Sequence, residues 1–277
     1  MRRDAGLLSG LGVVATLRML GRLVVFVVWT LVLLPVQMVL IRLPGAGKQR
    51  LPMRYWGGVA RIVGLRLDVS GAVAQGDGRP VIFVANHSSW LDIVALGAVL
   101  PGCFVAKAEV ARWPGINWVA AAGRTIFVSR RHRAAAGERN AMQERLAAGD
   151  NLILFPEGTT SDGARVMPFH PTFLALAGDA TRPIVQAVTI VYDRMDGLPI
   201  CRRNRPLVAW YGDMDIASHY AELGRHDWRA RIVIDPPLVV AGGRKQLGAA
   251  LEARIGAVAA QIRQGRDVEA EASSEKS

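Results

Sequence analysis

The chain has two cysteines in 277 residues, Cys103 and Cys201, and neither stands in a CxxC pair or beside clustered histidines. That excludes a disulfide framework and a cysteine-based zinc site, and it fits a reducing, cytoplasmic setting. Acidic residues are scarce at one end: residues 1–66 hold ten Arg or Lys against Asp4 alone, so about nine of the eleven excess positive charges lie there. This basic cluster lacks interleaved surface aromatics, which argues against a nucleic-acid partner, and it brackets an apolar run, which suits anionic lipid headgroups. There is no internal repeat and no GxSxG elbow. What the sequence has in quantity is apolar residues, 51% of the chain, enough for one large or two small domains with a substantial core.

The longest uncharged stretch is Leu23 to Ile41, "LVVFVVWTLVLLPVQMVLI". As a helix it matches the roughly 30 Å hydrocarbon core of a bilayer. The run begins too late and is too long for a signal peptide, and no small-residue cleavage site follows it. Basic residues flank both sides, Arg2, Arg3, Arg18 and Arg22 before it, Arg42, Lys48, Arg50, Arg54 and Arg61 after it, so both ends favour the cytoplasmic face. A spanning helix and a helix pair kinked at Pro35 and lying in the membrane plane both satisfy the pattern.

After Leu67 short apolar runs alternate with helical stretches, the pattern of an α/β fold with a mixed sheet flanked by helices. Strands are expected at 81–85, 103–106, 125–128, 151–155, 184–191 and 230–234, and helices at about 89–100, 134–148, 171–178 and 244–264. The expected organisation is a membrane-anchoring helical region over 1–66, a catalytic domain over 67–265 and a disordered tail over 266–277. That tail is rich in Glu, Ala and Ser without apolar periodicity.

One polar pair stands out within the domain. His87 follows the apolar run 81–85 in a strand-to-helix turn, where α/β proteins place ligands, and Asp92 lies five residues on. Ser88 or Ser89 suits the cap of the following helix. A carboxylate in the first turns of that helix reaches one imidazole nitrogen, fixes the tautomer and leaves the other nitrogen as a base. A structural histidine tied to a helix-start carboxylate satisfies the same spacing. Without a nucleophile elbow, such a base would activate an external hydroxyl.

The motif "NHSSWLD" (86–92) resembles the NHxxxxD block of the glycerolipid acyltransferases, and "FPEGTTS" (155–161) resembles their FPEGTRS block. Between them "GRTIFVSR" (123–130) is similar to the family's glycine, phenylalanine and arginine block, and "KAEV" (107–110) with "WPG" (113–115) to its lysine and Pro-Gly region. The resemblance implies acyl transfer from an acyl thioester, acyl-CoA or acyl-ACP, to the free hydroxyl of a lysolipid, with no bound cofactor and no metal. For bacterial members it implies 1-acyl-glycerol-3-phosphate as acceptor, phosphatidic acid as product, and the inner (cytoplasmic) membrane as location, with the catalytic domain on the cytoplasmic side.

On this reading His87 is the general base, Asp92 orients it, and Lys107 stabilises the oxyanion, although a surface lysine at a strand end is the plainer account of Lys107. Asn86, Arg130, Glu157, Gly158, Thr159 and Thr160 form the substrate-binding set: Arg130 grips a phosphate, Glu157 holds Arg130 or a glycerol hydroxyl, and the loop N–H groups face an anion. Arg124 and Arg131 add positive potential or form a solvated basic edge. His170, the strand-to-turn stretch 206–215 with Trp210 and Tyr211, and the pair Asp213 and Asp215 are expected to be structural. Two departures from the family pattern bear on the acceptor: "RPIVQAVTIVY" carries Gln186 and Ala187 where a proline-centred strand is usual, and Thr160 stands where arginine is common. They leave room for a lyso-ornithine lipid or another lysophospholipid. A catalytically silent lipid-binding protein is the reading from another class.

Overall fold

A computed structural model describes residues 2–268 apart from 76–77, 114, 129–134, 179–180, 213 and 239–242. In chain order the elements are α1 (Arg2–Leu40), α2 (Gly47–Ile62), β1 (Leu65–Gly71), β2 (Val81–Ala85), α3 (Leu91–Val99), β3 (Cys103–Lys107), α4 (Ile116–Ala122), β4 (Ile126–Val128), α5 (Ala135–Ala147), β5 (Leu152–Leu154), β6 (Ile184–Met195), β7 (Leu198–Pro199), α6 (Ile216–Leu223), β8 (Trp228–Leu238) and α7 (Arg244–Arg263). Short 3₁₀ turns occupy Ala108–Arg112, Pro171–Gly178 and Arg205–Leu207.

The strands form one mixed sheet in the order β1-β8-β6-β2-β5-β3-β4, with β7 folded back on β6. From β6 to β4 every neighbouring pair is parallel; β8 runs antiparallel to β6, and β1 parallels β8. The carboxyl ends of β2, β3, β4 and β5 therefore share one edge, and the loops leaving them gather there.

Both sheet faces are covered, so the central strands read as continuous apolar runs. On β2 the alternation of side chains sends Val81, Phe83 and Ala85 into one core with α2 and α3, while Ile82 and Val84 enter a second core with α5 and α7. On α7 Leu247, Leu251, Ile255, Val258 and Ile262 are buried at helical spacing. Tyr55, Val59 and Ala60 of α2 are buried in the first core, so the helical region expected over 1–66 shares its core with the rest of the chain.

Helix α1 starts well before Leu23. Its segment Gly12–Leu40 has a mean hydropathy of 2.6 and is long and apolar enough to cross a membrane. One face meets the protein: Phe26, Trp29 and Leu33 pack on the first core, the Gln37 amide donates to the Lys48 and Ala122 carbonyls, and Arg22 binds the Gly224 and His226 carbonyls and the Asp227 carboxylate. The other face, including Val13, Leu17, Val24, Val28, Leu31 and Val39, is exposed.

Several elements differ from the expectations. Strand β1, "LRLDVSG", was not anticipated, although its alternation of apolar and polar residues is the pattern of a half-exposed strand at a sheet edge. Helices α4 and α6 are too short for a periodic signal, 171–178 is a 3₁₀ turn, and 206–215 contains no strand among its described residues. Beyond Arg266, Val268 is buried with Val191, Val233 and Ile262, so packed chain runs into the expected tail; residues 269–277 lie outside the described part.

Candidate active site

The turn after β2 places His87 at the sheet edge, with its side chain 16% exposed. Its Nδ1 lies 2.8 Å from Asp92 Oδ2. A carboxylate only accepts, so Nδ1 is the donor, and in the neutral imidazole that tautomer leaves the lone pair on Nε2; Nε2 makes no hydrogen bond among the described residues. The ring stacks on Phe155, with centroids 4.0 Å apart and planes at 16°.

Asp92 sits in the first turn of α3 with its side chain fully buried. Besides His87, its Oδ2 accepts the N–H groups of Ser88 (2.7 Å) and Ser89 (2.9 Å), and its Oδ1 accepts the Tyr192 hydroxyl (2.7 Å). A buried carboxylate persists when its lone pairs are filled in this way. Burial and the Asp92 charge push the Tyr192 hydroxyl well above its ordinary range, so it remains a donor. The expected serine caps work differently: the helix-start carboxylate takes the Ser88 and Ser89 N–H groups, and the Ser89 hydroxyl accepts only from Leu91 N–H, at 3.3 Å.

The loop after β5 grips His87 through its backbone. Glu157 Oε1 accepts the His87 N–H (2.7 Å), and Ser161 donates its N–H (2.9 Å) and hydroxyl (3.1 Å) to the His87 carbonyl. Glu157 Oε2 accepts the Met167 N–H, so the carboxyl braces the turn under the histidine; Arg130, its expected partner, lies outside the described residues. Burial pushes Glu157 up to about 7, against the pull of the His87 and Met167 N–H groups.

Other expected residues fall into place unequally. Asn86 is spent on the fold, donating to the Ile190 carbonyl and accepting the Ile190 N–H, so its amide is not directed at a substrate. Gly158, at φ +64°, gives its N–H to the Phe155 carbonyl and is not an anion donor through that group. Thr159 and Thr160 are half-buried, and their N–H groups make no hydrogen bond among the described residues. Lys107 is exposed at the carboxyl end of β3, on the same sheet edge as His87. Arg130 and Arg131 lie outside the described residues, two and three positions beyond β4, whose end is also on that edge. Arg124 belongs to the opposite edge, before β4, where its guanidinium is paired with buried Asp150.

Gln186 is likewise structural, bridging Ala72, Ala74 and Asp235. Asp215 caps α6 through the N–H groups of Ala217 and Ser218, and Asp213 lies outside the described residues. His170 donates its backbone N–H to Pro156. Sequence reasoning missed Tyr192, Phe155 and His219. Buried His219 accepts the Trp90 indole N–H at Nδ1 (2.9 Å), and burial holds its pKa below the usual histidine value. The only available signal for Tyr192 was a tyrosine directly after the expected strand 184–191.

The arrangement is a solvent-reachable imidazole base, oriented by a buried carboxylate, at the edge where the parallel strands end. Comparison with known proteins gives concordant matches. A family model described as Acyltransferase matches residues 66–191. The lyso-ornithine lipid O-acyltransferase of Brucella abortus (strain 2308) is 36% identical over 266 residues, spanning 92% of this chain and 98% of that protein. The 1-acyl-sn-glycerol-3-phosphate acyltransferase of Neisseria meningitidis serogroup B is 33% identical over 156 residues, 52% of this chain and 61% of that one. Among solved structures, the 1-acyl-sn-glycerophosphate (LPA) acyltransferase PlsC from Thermotoga maritima superposes with a TM-score of 0.67 at 21% identity, covering 97% of this chain and 100% of that chain, and so shares its fold.

Proposed function

This chain belongs to the lysolipid acyltransferase family and is an O-acyltransferase, and on that premise we propose that it moves a fatty acyl group from acyl-CoA or acyl-ACP to the free hydroxyl of a lyso-ornithine lipid, with His87 as general base. The observation that carries the chemistry is Nδ1 of His87 held 2.8 Å from a buried, four-fold hydrogen-bonded Asp92, with Nε2 directed away from that contact.

In the proposed reaction Nε2 takes the hydroxyl proton as the lipid oxygen attacks the thioester carbonyl. Asp92 keeps its charge and stabilises the imidazolium. The tetrahedral intermediate collapses by breaking the C–S bond, and the imidazolium returns the proton to the departing thiolate. General-base catalysis of this kind supplies about 10²–10⁴-fold. Lys107 and the N–H groups of Thr159 and Thr160 are candidates to face the oxyanion, and Arg130 to bind the headgroup.

The lyso-ornithine acceptor rests on relatives of that name, one of which matches along 92% of this chain. A second reading, 1-acyl-glycerol-3-phosphate as acceptor and phosphatidic acid as product, is favoured by the relatives named for that activity. Offering purified protein a panel of lysolipids with each thioester donor, and identifying products by mass spectrometry, separates the two. An O-acylated ornithine lipid is expected, and exclusive acylation of 1-acyl-glycerol-3-phosphate would reject it. Membrane binding without thioester consumption on any acceptor would reject both and leave a silent lipid-binding protein.

For location, α1 is proposed to lie within the cytoplasmic leaflet of the bacterial inner membrane. From Arg22 to Gln37, about 22 Å of helix, one face is bound to the protein and the other is apolar and exposed. With Cys201→Ser as background, cysteines at Asp4 and Ala46 should both react with a membrane-impermeant reagent from the cytoplasmic side; labelling from opposite sides would mean a spanning helix.

A further inference from the structure

Beside the His87 loop lie two arginines that the proposed mechanism does not use. Arg205 opens the turn Arg205–Leu207, and Arg263 ends α7. The segment with Arg205 is tied to the site, because the Trp210 N–H donates to the Ser88 carbonyl at 2.8 Å. Gly163, at φ +73°, lies between the two: a Cβ there would be 3.3 Å from Arg205 Cδ and 3.8 Å from Ser88 Cβ. The glycine thus lets the Arg205 stem lie against the turn that carries the candidate base.

Neither guanidinium forms an ion pair or a side-chain hydrogen bond among the described residues, and Arg263 Nε is buried without a partner there. Burial lowers the Arg263 pKa, and the Arg205 charge lowers it further. The carboxylates facing Arg263 are Glu157 and Asp162. Glu157 is committed to the His87 and Met167 N–H groups, and Asp162 is exposed and accepts the Ala164 N–H. Two adjacent cations, one mostly desolvated, are disfavoured unless an anion joins them, and guanidinium forks suit carboxylate and phosphate oxygens.

We propose that Arg205 and Arg263 form an anion subsite that takes the carboxylate or phosphate of the acceptor headgroup and so selects the lysolipid presented to His87. This rests on the reading of the site as a lysolipid acyltransferase. It assigns acceptor specificity to residues more than forty positions beyond the last of the family's sequence blocks found here.

The test is steady-state kinetics of the full chain in lipid–detergent micelles with Arg205→Gln, Arg263→Gln and Arg205→Lys. Acceptors are a lyso-ornithine lipid, 1-acyl-glycerol-3-phosphate and uncharged 1-acylglycerol. Each Gln variant should raise KM for the accepted carboxylate- or phosphate-bearing lysolipid about 10–100-fold with kcat within about 3-fold, the range of a charge-assisted hydrogen bond, and Arg205→Lys should recover part of the loss. The anionic lipid that loses affinity identifies the headgroup as carboxylate or phosphate. Unchanged KM, an equal loss on charged and uncharged acceptors with a lowered Tm, or a rise confined to the KM of acyl-CoA would each overturn the subsite. His87→Ala is measured alongside: if it is inactive while the arginine variants are unaffected, the subsite fails and the base assignment stands, whereas full activity of His87→Ala removes the base assignment itself.

Discussion

At the scale of single residues, the site is organised around a buried charge. Asp92 receives one hydroxyl, two backbone N–H groups and the imidazole. Tyr192→Phe would leave Oδ1 buried and unpaired, so Tm should fall by an amount corresponding to about 1–3 kcal/mol, with a loss of kcat and no rise in acceptor KM. An unchanged Tm would deny the bond its weight. Glu157 offers a second check. Its folded pKa of about 7 lies above the ordinary 4.5, so the native protein holds that proton more tightly than the unfolded chain. Its contribution is largest below pH 4.5 and is lost as pH rises through 7, on the order of 3 kcal/mol in total. Thermal unfolding of the wild type between pH 5 and 8 should show this downward slope, and Glu157→Gln should lack it; parallel curves would contradict the assignment. His87 and Asp92 were legible because five residues across a strand-to-helix turn bring them together. Tyr192 was not, because it reaches Asp92 from 100 positions away, and the brace at Glu157 was not, because its partners are backbone groups that carry no sequence signature.

At the scale of elements, parallel pairing of β2, β5, β3 and β4 explains why blocks spread over the chain converge: each follows or ends a strand on the same sheet edge. The central strands and α7 were readable from apolar runs and period 3.6, whereas β1, α4 and α6 lacked either signal. The loop after β5 reads as small and polar, and that suggested anion binding. The structure spends Glu157, Gly158 and Ser161 on holding the loop and His87, leaving Thr159 and Thr160 for other work. Packing of α2 on α3 fixes the start of the helix that carries Asp92, and it depends on Gly97, where an added Cβ would overlap the Trp56 indole. Gly97→Ala should therefore lower stability by about 1–3 kcal/mol, read as a drop in Tm, while Gly137→Ala on α5, where nothing among the described residues lies within 4 Å, should not. Equal behaviour of the two would mean that the α2–α3 seam adapts.

At the scale of the whole molecule, the sequence announced an apolar anchor but not how it joins the enzyme. Arg22, in the middle of α1, reaches three groups of the turn before β8 more than 200 positions away, and Gln37 ties the far end of the same helix to α4. The anchor is thus a wall of the catalytic unit, with an apolar outer face that suits a bilayer and an inner face that shares the core. In the proposed function this placement is what lets a membrane-held lysolipid and a water-borne thioester meet at one sheet edge beside His87. The most direct measurement is the single-turnover rate of ester formation from acyl-CoA or acyl-ACP and lysolipid by the full chain in vesicles, wild type against His87→Ala. A loss of about 10²–10⁴-fold with acceptor binding retained is the predicted result. Ester formation by His87→Ala at the wild-type rate would contradict the account.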